Sequence, residues 1–337
     1  MRRSDFRPWS RFYPATRAPE HFHARTADGL RLAIHRVAPP QGSGPAVVLC
    51  HGLSSNHLGL HFPGRSLAGW LAAHGYDVYL PDLRGSGASE RPADHWDLDD
   101  HVFRDVPAVI DAVLRHSRRD RVHWVGHSMG GVVLFCHGIS HPGAPVASGV
   151  TIASSLDYTE GESGYRELLP IRHLLEKLPG IPYGAAMHLL APVLCRRPGR
   201  IESFQVWHPN IEPEIVRQLL AIGFHSVPIK LLASLATAFE PGGLCDRRRA
   251  LRYLEEAKRF RVPTRLLAGS RDRQVAVPAV EKTAGQLGGL AEVHVFGTEQ
   301  GHADEYGHWD LVLGRRARAE VWPRILEWLR LHERPAV

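Results

Sequence analysis

The chain has 337 residues, 44% of them hydrophobic, which is typical of a globular protein with a sizeable core. Its formal net charge is +6, but the basic residues form short scattered clusters, such as Arg247–Arg249, without interleaved aromatic residues. This pattern argues against nucleic acid as a partner. No stretch approaches the roughly 18 apolar residues of a membrane-spanning helix, and Met1–Pro8 lacks the apolar continuation of a signal peptide. We therefore expect a cytoplasmic protein.

The first half of the chain alternates between strand and helix patterns. Residues 21–25 and 30–37 flank the turn sequence Ala27-Asp28-Gly29 and predict a β-hairpin. The continuous apolar run Ala46–Cys50 is typical of a strand buried on both faces. Further patterns predict, in order, a helix near Leu67–Leu71, a strand at Asp77–Leu80, a helix over 99–116, and strands at Val122–Val125 and Gly149–Ala153.

This alternation stops after Ser155 and resumes near residue 261. Between them the chain has apolar helical faces interrupted by prolines. After the interruption come a strand at Thr264–Gly269, a helix over 277–287, a strand at Ala291–Phe296 and a helix near Ala319–Leu331. The sequence therefore predicts an α/β fold with a mostly parallel, doubly wound sheet. Residues 1–155 and 261–337 would form the core, and residues 156–260 a helical cap inserted between sheet strands.

The hexapeptide Gly126-His127-Ser128-Met129-Gly130-Gly131 follows the predicted strand at Val122–Val125 and precedes an apolar helical run. A Gly-x-Ser-x-Gly sequence in this strand–turn–helix context is typical of a nucleophile elbow, in which the central serine has strained backbone angles. The context predicts that Ser128 is a catalytic nucleophile.

A serine nucleophile needs a base and an acid that orients the base. Asp272 comes directly after the predicted strand Thr264–Gly269, at the sheet edge where such folds bind ligands, and is the preferred acid; Asp157 is its weaker rival. His302 and His308 both follow the last strand and both preserve the chain order Ser, Asp, His. Position in the chain alone does not decide which of the two histidines is the base.

Two backbone N–H groups are expected to stabilise the oxyanion. One belongs to Met129, which follows the nucleophile, and the other to Leu53, which follows His51-Gly52 at the end of a buried strand. His51 itself is interpreted as a residue that supports the turn. The cysteines, Cys50, Cys136, Cys195 and Cys245, have no CxxC spacing and are interpreted as reduced thiols.

From about residue 25 to 331 the chain resembles the α/β-hydrolase superfamily. The shared residues are His51-Gly52, the segment Asp82–Ser89, the hexapeptide at 126–131 and Asp272. The segment Tyr306–Gly314 is similar to the stretch around the catalytic histidine of acid-lipase-like esterases and lipases and their bacterial relatives, which favours His308 as the base. Generic members carry this histidine sooner after the last strand, which favours His302; His308 is the preferred base and His302 the runner-up.

The resemblance implies a serine hydrolase that cleaves carboxylic esters through a Ser-His-Asp triad and an acyl-enzyme. It implies no metal or organic cofactor. A cap of this length favours a lipophilic small-molecule ester as substrate. An acyltransferase or thioesterase would use the same triad, and a non-catalytic ligand-binding protein could share the fold.

Overall fold

In the computed structural model, which describes residues 20–93, 95–171, 179–191, 199–288 and 291–333, eight strands form one sheet. The strands are β1 (Glu20–Arg25), β2 (Arg31–Val37), β3 (Ala46–Cys50), β4 (Asp77–Pro81), β5 (Val122–His127), β6 (Val146–Ile152), β7 (Thr264–Gly269) and β8 (Ala291–Phe296). Their order is β1-β2-β4-β3-β5-β6-β7-β8. Strand β2 pairs antiparallel with both neighbours, and every pair from β4 to β8 is parallel. The predicted mostly parallel α/β sheet is confirmed.

The central strands are buried along their whole length because helices cover both faces of the sheet. All residues of β3, β4, β5 and β7 are buried. Successive residues point to opposite faces, so Val47 and Val48 belong to two different hydrophobic clusters. Two cores on the two sides of one sheet explain why these strands read as continuous apolar runs.

The helices outside the segment 156–260 are α1 (Leu67–Ala73), α2 (Val106–Ser117), α3 (Met129–Ser140), α8 (Val277–Gln286), α9 (Asp310–Leu313), α10 (Ala317–Glu320) and α11 (Trp322–Leu331). Helix α2 is preceded by a helical turn at Leu98–Asp100 and a π-helical stretch at His101–Asp105. The predicted C-terminal helix is divided in two at Val321, because Pro323 has no N–H with which to continue α10.

The chain between β6 and β7 contains the segment 156–260, called the insertion below. Its helices are α4 (Tyr183–Leu190), α5 (Arg200–Gln205), α6 (Pro213–Ile222) and α7 (Ile229–Ala236). Short 3-10 turns lie at Gly164–Ile171, His208–Asn210 and Thr237–Phe239. Parts of the predicted apolar faces, at residues 172–178 and 192–198, lie outside the described residues, and so does Cys195. That the insertion acts as a cap stays a prediction.

Cys50, Cys136 and Cys245 are buried free thiols, as expected. Within the described ranges, the structure has no helix with both the length and the apolar character needed to span a bilayer. The cytoplasmic location stays a prediction.

Candidate active site

Ser128 occupies the junction between β5 and α3 in a strained conformation. Its backbone angles are φ 54° and ψ −120°, a region that residues with a side chain rarely adopt. The Ser128 N–H donates to the carbonyl of Ile152, on the neighbouring strand β6, over 2.8 Å. The Ser154 hydroxyl donates to the Ser128 carbonyl, also over 2.8 Å. Contacts to β6 and to the residue Ser154 that follows it therefore hold both the N–H and the carbonyl of Ser128 in place.

Glycines allow the strand and the helix to approach each other at this junction. A Cβ at Gly126 would lie 2.3 Å from the backbone of Gly130, and a Cβ at Gly130 would lie 2.2 Å from the carbonyl oxygen of Cys50. Both distances are far below a normal contact, so only glycine fits without a backbone shift. The spacing of glycines around Ser128 thus has a steric cause.

His308 and Asp272 form a buried pair at the ends of β7 and β8. Nδ1 of His308 lies 2.8 Å from Oδ2 of Asp272, and neither side chain exposes more than 3% of its surface. The other carboxylate oxygen, Oδ1, accepts the N–H groups of Gln274 and Val275 over 2.7 and 3.0 Å. Asp272 therefore caps a turn and orients an imidazole with the same carboxylate. Because Nδ1 is engaged, Nε2 is the ring nitrogen left for another partner.

His302 has other neighbours. Its Nδ1 lies 3.2 Å from the carbonyl oxygen of Gly297, and its ring packs against Phe296 with centroids 4.8 Å apart. The weaker acid candidate, Asp157, accepts the N–H of Thr159 over 2.7 Å and lies 3.4 Å from Nζ of Lys282. Asp272 is thus hydrogen-bonded to His308 and not to His302. Among the hydrogen bonds of the described residues there is none between the Ser128 hydroxyl and His308.

His127 contacts the loop that carries His308, and the sequence did not point to this role. Its Nε2–H donates to the His308 carbonyl over 3.2 Å, and its ring packs on Trp309 with centroids 4.3 Å apart. Burial holds the pKa of His127 well below its usual range, so the ring is neutral and places no second cation beside the base. Its place inside the hexapeptide was the available signal.

The turn after β3 lies against Ser128. A Cβ at Gly52 would be 3.0 Å from the Ser128 Cβ, so Leu53 follows a residue in close contact with the nucleophile position. His51 holds this turn: Nδ1–H donates to the Gly52 carbonyl over 2.8 Å, and Nε2 accepts the Leu83 N–H over 3.0 Å. Burial lowers the pKa of His51 to about 4, so it remains neutral in this role. Met129 is the first residue of α3, where helix N–H groups have no partner in the helix itself.

His35, His57 and Asp82 form the one cluster of three close metal-ligand types within the described residues. Asp82 Oδ2 is 3.0 Å from His35 Nε2, and Asp82 Oδ1 accepts the His57 N–H over 2.8 Å. Burial alone would raise the pKa of Asp82, but bonds to both histidines hold it well below its usual range. The two imidazoles stack 3.6 Å apart at an angle of 23°. An ion within bonding distance of both rings would therefore lie far from their planes, where the nitrogen lone pairs do not point, and the cluster is better explained as a structural hydrogen-bond centre.

Two surface clefts lie elsewhere. One, of about 530 Å³, is lined by residues that include Asp97, Arg104 and Arg247, and the other, of about 430 Å³, by Arg65 and Trp322 among others. Ser128, Asp272 and His308 line neither cleft. A pocket for the lipophilic ester expected from the sequence stays a prediction.

The sequence matches the family described as alpha/beta hydrolase fold over residues 45–172. Human lipase member K is 34% identical over 135 residues, which cover 34% of this chain and 33% of that lipase. Mouse gastric triacylglycerol lipase is 28% identical over 210 residues, which cover 53% of this chain and 51% of that lipase. The chain thus spans between a third and about half the length of these curated relatives.

Among solved structures, the enol-lactonase from Burkholderia xenovorans has a TM-score of 0.64 to this chain at 18% identity, covering 92% of this chain and 100% of its own. That likeness concerns the fold. Taken with the family match over 45–172 and the strand–serine–helix junction at Ser128, it leads to one conclusion: the chain has the α/β-hydrolase fold.

Proposed function

We propose that the protein is a serine hydrolase that cleaves carboxylic esters through Ser128, His308 and Asp272. The observation that carries this proposal is the conjunction of a serine at φ 54° on a strand–helix junction with a buried His308–Asp272 pair 2.8 Å apart. A strained serine presents its hydroxyl away from the backbone, and a carboxylate-bound imidazole is oriented to accept that hydroxyl's proton. The similarity of the chain to lipases supports the same chemistry.

The reaction would proceed by acyl transfer to the serine. His308 Nε2 accepts the hydroxyl proton as Ser128 Oγ attacks the ester carbonyl, and Asp272 stabilises the imidazolium that forms. The N–H groups of Leu53 and Met129 hold the oxyanion. His308 then returns the proton to the departing alcohol, and water attacks the acyl-enzyme with His308 again as the base. This chain's residues provide a group for each of these steps.

The substrate is proposed to be lipophilic, with the insertion as a cap over the site. In the insertion, Leu189 exposes 59% and Leu190 39% of its surface on α4, so two consecutive leucines are open to contact with a substrate. If α4 contacts the acyl chain, Leu189→Asp should slow hydrolysis of long-chain esters more than that of acetate esters. Each buried methylene contributes roughly 0.8 kcal/mol. The matched control is Leu331→Asp, because Leu331 is 69% exposed at the end of α11. A flat chain-length profile in the unmodified protein would refute the acyl-pocket role.

The test of the chemistry is hydrolysis of a series of p-nitrophenyl esters together with labelling by a serine-directed fluorophosphonate. Ser128→Ala should lose both, with a loss of turnover of several orders of magnitude. His308→Ala should also abolish turnover, while His302→Ala, the matched histidine control, should retain it. Near-normal turnover of Ser128→Ala would refute the serine-hydrolase proposal. An active His308→Ala with an inactive His302→Ala would move the base to His302.

A further inference from the structure

The loop that carries His308 is hydrogen-bonded to one short stretch of the insertion, Gln205–Trp207. The Trp309 N–H donates to the Gln205 carbonyl over 3.0 Å. On the other side of His308, a Cβ at Gly307 would lie 2.6 Å from the backbone nitrogen of Trp207, so the two segments touch through their backbones. Both neighbours of His308 in the chain are therefore placed against the insertion.

The Asp310 carboxylate joins the same two segments. Its Oδ1 accepts the Trp207 N–H over 2.9 Å, and its Oδ2 accepts the Gly307 N–H over 2.8 Å. Asn210, also in the insertion, brings its amide Nδ2 within 3.4 Å of Oδ2 and donates to the Glu305 carbonyl over 3.2 Å. One side chain thus bridges the backbone of the insertion and the backbone of the residue before His308.

This carboxylate is kept where it is unfavourable. Asp310 has no exposed surface, and among the described residues no Lys, Arg or His lies within ion-pair distance of it. Burial, with the nearby Asp272 charge as a smaller cause, raises the pKa of Asp310 to about 7, although the two backbone N–H bonds oppose this. An unpaired buried carboxylate costs several kcal/mol, and groups of this kind concentrate at functional sites.

The turn that contains Asp272 contacts the same stretch through Gln274. Gln274, whose N–H bonds Asp272, donates from its side chain to the Phe204 carbonyl over 3.1 Å and to Oε1 of Gln205 over 3.0 Å. Residues 204–207 therefore contact both the turn that contains Asp272 (the acid turn) and the loop that carries His308 (the base loop).

We propose that Asp310 is a positioning residue that holds His308 in register with Ser128 by fastening the base loop to Gln205–Trp207. The insertion is then part of the catalytic framework as well as a cover for the substrate. The inference rests on the proposed function, since it assigns a role to a residue acting through the base His308.

The test is Asp310→Asn, which keeps the size of the side chain but offers one oxygen where the carboxylate offers two. An amide NH₂ then faces either the Trp207 or the Gly307 N–H, donor against donor, and the loop must shift. A displacement of about 1 Å of a catalytic group costs on the order of a hundredfold in rate. We expect kcat and the rate of fluorophosphonate labelling to fall together by about that factor, with KM changing less. The matched control is Asp304→Asn in the same loop. Among the described residues, the Asp304 carboxylate bonds only the Glu305 N–H. This variant should behave as the unmodified protein.

Two further measurements distinguish positioning from a merely structural role. The low-field proton resonance of the His308–Asp272 hydrogen bond should move or broaden in Asp310→Asn and stay in place in Asp304→Asn. Asn210→Ala removes the amide contact from the insertion side and should lower kcat several-fold, which keeps the test open if Asp310→Asn does not fold.

The inference is overturned, and the proposed function left standing, if Asp310→Asn keeps the kcat and the low-field resonance of the unmodified protein. If Asp310→Asn does not fold, the same result in Asn210→Ala has the same meaning. Unmodified protein that neither hydrolyses esters nor reacts with the fluorophosphonate would overturn the proposed function and this inference with it.

Discussion

The backbone strain at Ser128 predicts that glycine at this position stabilises the fold although it removes the nucleophile. Ser128→Gly and Ser128→Ala both delete the hydroxyl, so the difference between them isolates the backbone. A residue with a side chain at φ 54° and ψ −120° carries a strain of about 1–3 kcal/mol, which glycine relieves. Glycine in turn costs about 0.5–1 kcal/mol through the greater freedom of the unfolded chain. We expect Ser128→Gly to be the more stable variant by about 1 kcal/mol.

The assay is urea unfolding at pH 7 with thermal unfolding beside it. At about 2.1 cal/mol/K per residue, 337 residues give an unfolding entropy near 0.7 kcal/mol/K, so about 1 kcal/mol corresponds to roughly 1.4 °C in Tm. The control pair is Ser234→Gly and Ser234→Ala in the interior of α7, where alanine should be the more stable by about 1 kcal/mol. The sign of the difference should therefore reverse between the two positions. Equal stabilities at Ser128, or alanine ahead of glycine there, would refute the strain.

Three other outcomes follow from buried groups and close backbone contacts. Burial lowers the pKa of His123 to about 4, so below pH 6.5 the unfolded chain gains a proton that the folded protein does not, and the free energy of unfolding falls by about 2 kcal/mol at pH 5. His123→Gln, which can still bond Ser148, should therefore show a shallower drop in Tm between pH 7 and 5. Burial raises the pKa of Asp310 to about 7, so between pH 4 and 7 the folded protein holds a proton that the unfolded chain releases, and the free energy of unfolding declines as the pH rises. The Tm difference between the unmodified protein and Asp310→Asn should therefore shrink from pH 5 to pH 8, and a constant difference would contradict this. Gly130→Ala, with its Cβ 2.2 Å from the Cys50 oxygen, should abolish fluorophosphonate labelling, whereas Gly143→Ala, with no atom within 4 Å, should label normally.

The order and type of the core elements could be predicted because burial on both faces leaves an unmistakable pattern. Strand β3 was predicted with its observed bounds, Ala46–Cys50. The first part of the helix predicted over 99–116 is instead π-helical, at His101–Asp105 before α2 begins, since a local widening of the helix leaves the apolar period almost unchanged. The break before Pro323 was also missed, although proline at this place was a usable signal.

The candidate site could be predicted only where the chemistry has a local motif. Ser128 lies within a recognisable hexapeptide, and Asp272 follows a strand at the ligand-binding edge. The choice between His302 and His308 depended on resemblance, because both occupy the same loop after β8. Asp310 was missed altogether: its partner Trp207 is 103 residues away, and a hydrogen bond to a backbone N–H leaves no residue preference at the donor. Contacts of this kind arise from the tertiary fold and leave no pattern in the sequence.

The position of the insertion in the chain explains why it contacts both the turn that contains Asp272 and the loop that carries His308. The insertion starts just after β6 ends, and β6 is the parallel neighbour of β7, so it leaves the sheet at the same carboxyl edge where β7 leads into the turn that contains Asp272. Residues 204–207 meet the acid turn through Gln274 and the base loop through Asp310. The exposed leucines of α4 lie in another part of the insertion. On the proposed function, substitutions at α4 should therefore change substrate preference and leave the Ser128–His308–Asp272 geometry intact, whereas substitutions at residues 204–207 should alter that geometry.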